Sequence, residues 1–304
     1  RRNMHPIDGQ TSLIGLLGDP VSHSISPIIH NAAIRELGLN WCYLALPSKE
    51  KNLAEIIKAL NNIDCKGLNI TIPHKQNVIN CCSSISDLAR SIGAVNTLVP
   101  SNKNQWHGEN TDMEGFLSPL KSNSWAGKNA IILGAGGSSK AVLRGLQSLQ
   151  VSTVSVIGRN INKLNQFLLD MNKSEDNSNS NISHISVLSE IDTKLSCIIK
   201  QADLIINTTP IGMYKNSPND NDIRRIPLGA EIWENLEKKV TLYDLIYTPR
   251  PTDWLQLGKN HGHYCIDGLD MLINQGAASL KLWTGYDSIP VDLMRKSAEK
   301  YLLH

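Results

Sequence analysis

Apolar positions along the chain alternate between short runs and stripes at helical spacing. Leu13 to Leu17 is an apolar run that predicts a buried strand. Ile28, Ile29, Ala32, Ala33 and Leu37 then mark one helix face, opened by Ser26-Pro27 and ended by Gly38. Ser is a favoured N-cap, Pro suits the first helical turn and Gly the C-terminal stop. Trp41 to Leu46, Gly67 to Ile72 and Ala94 to Val99 predict further strands, the last two stopped by Pro73 and Pro100. Leu53, Ile56, Ile57 and Leu60 predict a second helix. Such alternation predicts an open, mainly parallel sheet.

A second alternating series follows. Strands are predicted at 130–134, 153–157, 203–207, 240–245 and 263–266. Lys173 to His184 is rich in Asn and Ser and predicts a mobile surface insertion. From Gly268 the spacing turns helical, with Met271, Leu272, Gln275, Ala278 and Leu282 on one face and Trp283 beside them; 291–303 predicts a last helix.

The 304 residues are 41% hydrophobic and suffice for two cored domains. A net charge of +2 with interspersed signs gives no reason to expect nucleic acid or an anionic membrane as partner. No apolar run approaches a spanning helix, and no secretory signal is expected. The six cysteines lack any C-x-x-C pair, so neither a zinc site nor a disulfide framework is expected, and reduced thiols in the cytoplasm fit them. No metal is expected.

Ile131 to Ser139 runs from an apolar strand into Gly134-Ala135-Gly136-Gly137-Ser138-Ser139, with a helical pattern from Lys140. A glycine turn at a helix N-terminus suits a dinucleotide pyrophosphate, although Ser139 stands where a third glycine is usual. The next strand, Val154 to Ile157, ends in Gly158-Arg159-Asn160 without the acidic residue of an NAD site. Arg159 can pair with a 2′-phosphate instead, with Lys163 one turn on, which favours NADP.

Four polar stretches fall at the ends of predicted elements, where α/β clefts form. Ser22-His-Ser-Ile-Ser26 lies before a helix and suits a carboxylate, or a hydroxyl-rich cap with Ser26 as N-cap and Ser24 outside the helix. Asn69-Ile-Thr71 leads to Lys75; Gly93-Ala-Val-Asn-Thr97 carries Asn96; Glu109-Asn-Thr-Asp112 ends on an Asp that also fits a cap for a helix from Met113. A Lys and an Asp at neighbouring element ends can couple as a proton donor and its partner charge. Beside a nicotinamide site, the set suggests reduction of a ketone on a hydroxylated acid.

These motifs together resemble the shikimate dehydrogenase family over nearly the whole chain. The opening loop Gly18 to Asn31, Asn69 to Lys75, Gly93 to Thr97, Asn110 to Asp112 and Gly134 to Ala141 occur in the family's order. So do Asn207-Thr-Thr-Pro-Ile-Gly-Met213, Tyr243-Asp-Leu-Ile-Tyr247 and Gly268 to Gln275. The resemblance implies NADPH-dependent reduction of 3-dehydroshikimate to shikimate in aromatic amino-acid biosynthesis, with dual quinate/shikimate activity or a silent NADP-sensing domain as alternatives. It implies two mainly parallel-sheet α/β domains: a substrate domain of 1–111 plus 268–304, to which the last helices return, and a Rossmann-type NADP domain of 112–267. Lys75 and Asp112 are the implied catalytic pair, Lys75 giving a proton or stabilising the developing alkoxide. Ser24, Ser26 and Tyr247 are implied at the substrate carboxylate, and Thr71, Asn96 and Gln275 at ring hydroxyls. The implied cofactor contacts are Gly134, Ala135, Gly136, Gly137, Ser138, Arg159, Asn160, Lys163, Thr208, Gly212, Met213, Leu245, Gly268 and Met271. The working form is expected to be a monomer or homodimer. Met113, where the family has Gly, implies a stiffer hinge, with the other hinge near Gly268. Gly158 and Asn160, around Arg159, depart from the family's usual Asn-Arg-Thr or Asn-Arg-Ser.

Overall fold

The computed structural model describes residues 6–102, 105–173, 184–189, 192–213, 226–229, 232–233, 236 and 239–303. Two compact units account for it, Arg1–Gly115 with Leu272–His304, and Phe116–Met271. Both are α/β units built on mainly parallel six-stranded sheets. Among the described residues no helix is long and apolar enough to cross a membrane.

The first sheet contains β1 (Ser12–Gly18), β2 (Trp41–Pro47), β3 (Leu68–Ile70), β4 (Ser84–Ile85), β5 (Thr97–Ser101) and β6 (Gln105–Glu109), in the order β2-β1-β3-β5-β6-β4. The pairs β1/β2, β1/β3 and β4/β6 are parallel. The expected strand at Ala94–Val99 starts three residues later, ends two later and forms an antiparallel hairpin with β6. Pro100 does not stop it. The pairing of β5 with β3 ends at Leu98, so at Pro100 one side of β5 has no strand needing an N–H. The core of this sheet is Leu17, Ile57, Leu68, Ile70, Val78, Val95, Leu98 and their neighbours. Trp283 reaches the sheet at Gly67, where an added Cβ would lie 2.3 Å from Nε1, and its indole N–H donates to Leu98 O at 2.9 Å.

Helix α1 spans Ser26–Glu36, the expected second helix α2 Leu53–Asn62, and a third, α3, Asp87–Ile92; Gly38, at φ +67°, ends α1 as expected. Its N-cap is Ile25 rather than Ser26, and no side chain caps it from that position. Val21 O accepts from the Ser24 N–H at 3.1 Å, and that turn brings the Ser24 hydroxyl round to accept from the Ser26 N–H at 3.1 Å. The expectation that Ser26 caps and Ser24 stands apart is therefore reversed. A similar correction applies to α4 (Asp112–Leu117): Asn110 Oδ1 accepts from the N–H groups of Asp112 (3.0 Å) and Met113 (3.4 Å). The cap is Asn110, which leaves the Asp112 carboxylate for other work.

The second sheet is all parallel: β7 (Asn129–Leu133), β8 (Thr153–Gly158), β9 (His184–Ser189), β10 (Leu204–Asn207), β11 (Thr241–Asp244) and β12 (Tyr264–Ile266), ordered β12-β11-β10-β7-β8-β9. That is the doubly wound order of nucleotide-binding sheets, with its switch point between β7 and β10. Residues 174–183 of the expected insertion lie outside the described residues. His184 does not belong to it, because it opens β9 and pairs with Thr153. Ile132, Val142, Val156, Phe167 and Ile206 pack one face, and Ile131, Ile205, Leu242 and Trp254 the other.

Candidate active site

In the first unit, the carboxyl ends of β3 and β6 bring the expected polar residues together. Lys75 follows β3, and its carbonyl accepts from the Val95 N–H at 2.8 Å, which fixes its backbone against the Gly93–Thr97 segment. Its Nζ lies 2.5 Å from Asp112 Oδ2, with the side chains 15% and 8% exposed. A pair this buried is desolvated on most sides yet keeps a path to water at the ammonium.

Asp112 Oδ1 accepts from Asn96 Nδ2 at 3.0 Å. The same amide nitrogen lies 2.8 Å from Thr111 Oγ1 and 3.4 Å from Gln275 Oε1. Asn96 Oδ1 accepts from the Thr111 N–H (2.8 Å) and the Thr97 hydroxyl (3.0 Å), so the amide has one permitted orientation. Gln275 Nε2 donates to Leu272 O at 2.9 Å. Lys75, Asp112, Asn96 and Gln275 thus form one group. Thr71 is half-buried just beyond β3, and its N–H donates to Leu17 O at 2.9 Å.

Ser26 is 5% exposed and its side chain hydrogen-bonds with the Tyr43 hydroxyl, while Ser24 is half-buried. Tyr43 donates to Asn69 Oδ1 at 2.9 Å, and its ring stacks on His30 at 4.1 Å. Complete burial lowers the His30 pKa to about 4, opposed by Ser26 and Gly276 carbonyls, so the ring is neutral at physiological pH. Tyr43 and His30 are not obvious in the chain because each lies in an apolar stretch, and only their contacts show that, with Asn69 behind them, they brace the Ser24–Ser26 turn.

In the second unit, Gly134 follows β7 with φ +102°, and an added Cβ would lie 2.8 Å from both Thr208 Oγ1 and Thr209 Cγ2. Gly136 and Gly137 meet nothing within 4 Å at that position, so the loop faces open space. Helix α5 (Gly137–Ser148) starts three residues before the expected Lys140. Its first-turn N–H groups have no intrahelical acceptor and carry the positive end of the dipole. Ser139 has a use that a third glycine would not supply. Thr208 Oγ1 donates to Leu133 O at 2.7 Å, so Ser139 Oγ donates to Thr208 at 2.7 Å and accepts from the Gly136 N–H at 3.1 Å. The loop is held open, and its geometry fits a pyrophosphate.

Arg159 and Lys163 are exposed beyond β8, at the start of helix α6 (Ile161–Lys173). Asn160 Oδ1 accepts from the N–H groups of Asn162 (3.0 Å) and Lys163 (3.1 Å), so that oxygen caps the helix. Gly212 has φ +107°, and Met213 is 52% exposed. An added Cβ at Gly268 would lie 1.9 Å from Leu245 O, so the two segments touch through backbone. Met271 is 8% exposed within the apolar core, and Tyr247 is half-buried. Ala135, half-buried, sits in the turn itself.

Asp244, which lies in the Tyr243–Tyr247 motif without an implied role, ties the ends of β10 and β11. Its Oδ1 accepts from Asn207 Nδ2 (3.0 Å) and the Ile246 N–H (3.2 Å), and its Oδ2 from the Thr252 hydroxyl (2.8 Å). Burial nevertheless raises its pKa to about 6, against those three hydrogen bonds and with Asp267 adding to the rise. A raised carboxyl pKa favours the fold below the unfolded value and loses that contribution as pH rises through about 6. Asp244→Asn cannot ionise. The stability of this variant relative to the parent is expected to improve between pH 4 and pH 7, by up to ~3 kcal/mol, as measured by denaturant unfolding of both chains. A difference independent of pH would show that Asp244 does not titrate in this range.

A family model described as "Shikimate dehydrogenase substrate binding domain" matches residues 16–98. "Shikimate / quinate 5-dehydrogenase" matches residues 117–222, and "Shikimate 5'-dehydrogenase C-terminal domain" matches residues 268–299. The "Shikimate dehydrogenase (NADP(+))" of Prochlorococcus marinus (strain MIT 9515) is 44% identical over 296 residues, covering 97% of this chain and 100% of that protein.

The chain belongs to the shikimate dehydrogenase family.

A shikimate dehydrogenase solved in complex with NADP+ matches it with a TM-score of 0.83 at 32% identity, over 98% of both chains. The shikimate dehydrogenase of Thermus thermophilus, solved with NADP(H) and shikimate, matches with a TM-score of 0.77 at 28% identity, over 95% of this chain and 99% of the other. Shikimate dehydrogenase membership and the Rossmann-like fold of the second unit agree.

Proposed function

We propose that the Lys75–Asp112 pair carries the proton transfer in the reversible NADPH-dependent reduction of 3-dehydroshikimate to shikimate. The chain is an NADP-dependent oxidoreductase with shikimate dehydrogenase activity. One observation carries the assignment of the pair: a desolvated ammonium 2.5 Å from a carboxylate whose other oxygen is fixed by an amide. NADPH, when bound, would supply the hydride for the C3 carbonyl carbon. Lys75 Nζ gives its proton to the carbonyl oxygen, or holds the alkoxide until a water does so. Asp112 holds the ammonium in place, and the partial exposure of Lys75 allows its reprotonation from solvent.

In this reading Ser24, Ser26 and Tyr247 take the substrate carboxylate, and Thr71, Asn96 and Gln275 the ring hydroxyls. Gly134 to Ser138 and Thr208 hold the pyrophosphate; Arg159, Asn160 and Lys163 surround the 2′-phosphate. Gly212, Met213, Leu245, Gly268 and Met271 flank the nicotinamide. The first unit is then the substrate domain and the second the NADP domain. The setting is the cytoplasm, which suits the free thiols of Cys65 and Cys265, and the working form is a monomer or homodimer. Steady-state oxidation of shikimate and quinate, each with NADP and NAD, tests the activity. Shikimate with NADP is expected to give the highest kcat/KM, and no turnover of shikimate would refute the reading.

The role of Ser24 is tested separately. Ser24→Ala is expected to raise the KM for shikimate several-fold with kcat at saturation little changed. It also removes the acceptor of the Ser26 N–H, so unfolding free energy should fall by about 1 kcal/mol. A lowered stability with unchanged KM would assign the hydroxyl to the turn alone.

A further inference from the structure

We infer that Ser279 is a positioning residue for the Lys75–Asp112 pair: its hydroxyl closes a buried ring of hydrogen bonds that aims the Asn96 amide at Asp112. The inference rests on the reading of Lys75 and Asp112 given above. Ser279 is fully buried in the helix Leu269–Thr284, one turn after Gln275. Its Oγ lies 2.8 Å from Thr97 Oγ1, 3.2 Å from Thr111 Oγ1, 2.9 Å from Asn69 Nδ2 and 3.1 Å from Gln275 O.

Counting protons gives these contacts a direction. Asn96 Oδ1 can only accept, so the Thr97 hydroxyl spends its proton there. Thr97 Oγ1 then accepts the Ser279 proton over the shorter of that hydroxyl's two acceptor distances. Asn96 Nδ2 donates to Thr111 Oγ1, whose own proton is left for Ser279 Oγ. The ring Ser279 to Thr97 to Asn96 to Thr111 and back is closed, with every hydroxyl both donating and accepting. Asn69 fills the second lone pair of Ser279. The remaining Asn96 amide proton points at Asp112 Oδ1. Rings of this kind polarise one another and hold their members more firmly than separate bonds.

Without the Ser279 hydroxyl, Thr111 loses its acceptor and Thr97 its shorter donor, keeping only the Asn69 amide at 3.2 Å. Thr111 can turn toward Thr97, 3.4 Å away, only by leaving its present alignment with Asn96. The amide is then no longer fixed from both ends, and the carboxylate that holds Lys75 gains freedom. A small misplacement of a reacting group costs up to about 10²-fold in rate. Ser279 touches neither substrate nor cofactor in this account, and acts only through Asn96 and Asp112.

The test is a kinetic comparison of Ser279→Ala and Thr97→Val, which open the same ring at two members. Both are expected to lower kcat for shikimate oxidation about tenfold while KM for NADP stays unchanged. Thr97→Val preserves shape and reads the ring should Ser279→Ala fail to fold. The deciding measurement repeats the Ser279 change in an Asp112→Asn background. An effect that runs through the carboxylate largely disappears there, whereas a general loosening of the fold multiplies kcat by the same factor in both backgrounds. Unchanged kcat in the ring variants, or equal losses in both backgrounds, overturns the inference. If Lys75→Ala keeps its activity, the functional reading fails. If Lys75→Ala is crippled while the ring variants are normal, only the role of Ser279 fails.

Discussion

Replacement of Lys75 by Ala is expected to reduce kcat by roughly 10²–10⁴, the range for loss of a proton-transfer group. Its ammonium is the cation paired with Asp112, and the neighbouring donors are amides and hydroxyls that do not surrender a proton near neutral pH. The loss should fall mainly on kcat, because Ser24, Ser26 and the glycine loop are untouched by the change. Asp112 is left buried without its counter-charge, so some stability is lost as well, and a melting curve beside the kinetics separates the two effects. NADPH binding, followed by its fluorescence, should be unchanged. A kcat near that of the parent at saturating shikimate would remove Lys75 from the chemical step.

The fold was legible wherever a local pattern decides the structure. Apolar runs marked β1, β2, β3 and all the second-unit strands except β9, and the glycine turn marked the start of α5 to within three residues. The errors share a physical cause. Whether Pro100 ends a strand depends on whether a neighbour still pairs on its N–H side, and the pairing with β3, some thirty residues away in the chain, has already stopped at Leu98. Ser26 has the sequence context of a cap, yet the turn at Val21–Ser24 places the Ser24 oxygen at the exposed N–H instead. Asp112 and Asn110 are both good caps, and their tertiary partners, Lys75 for one and the helix for the other, decide between them.

The candidate site was legible residue by residue through family motifs, but its connections were not. Spacing from Gln275 and Leu282 puts Ser279 on the inner helix face, but what its hydroxyl meets there has meaning only once Thr97 and Thr111 are known to face it. Asp244 was hidden for the same reason, since its partners Asn207 and Thr252 lie on separate elements.

Arg159→Ala is expected to weaken NADPH by about 1.5–3 kcal/mol, the worth of a hydrogen bond to a charged group, which is roughly a 10- to 100-fold rise in Kd. NADH should be almost unaffected. Arg159 is exposed at the end of β8, where an NAD site places a carboxylate, and Gly158 before it offers no side chain. Asn160 cannot take over the discrimination through its oxygen, which is occupied by two backbone N–H groups of α6. Lys163 stands in the first turn of the same helix and retains part of the attraction for a 2′-phosphate, together with the helix dipole. The double change Arg159→Ala with Lys163→Ala should therefore lose more NADPH affinity than either alone and bring the two cofactors close to parity. Because both side chains are solvated, the selectivity of the parent should decline as salt is raised from 50 to 500 mM, roughly a threefold shortening of the screening length. Titration of both cofactors against parent and variants measures all of this. An equal loss for NADPH and NADH would mean that Arg159 supports the loop rather than reads the phosphate.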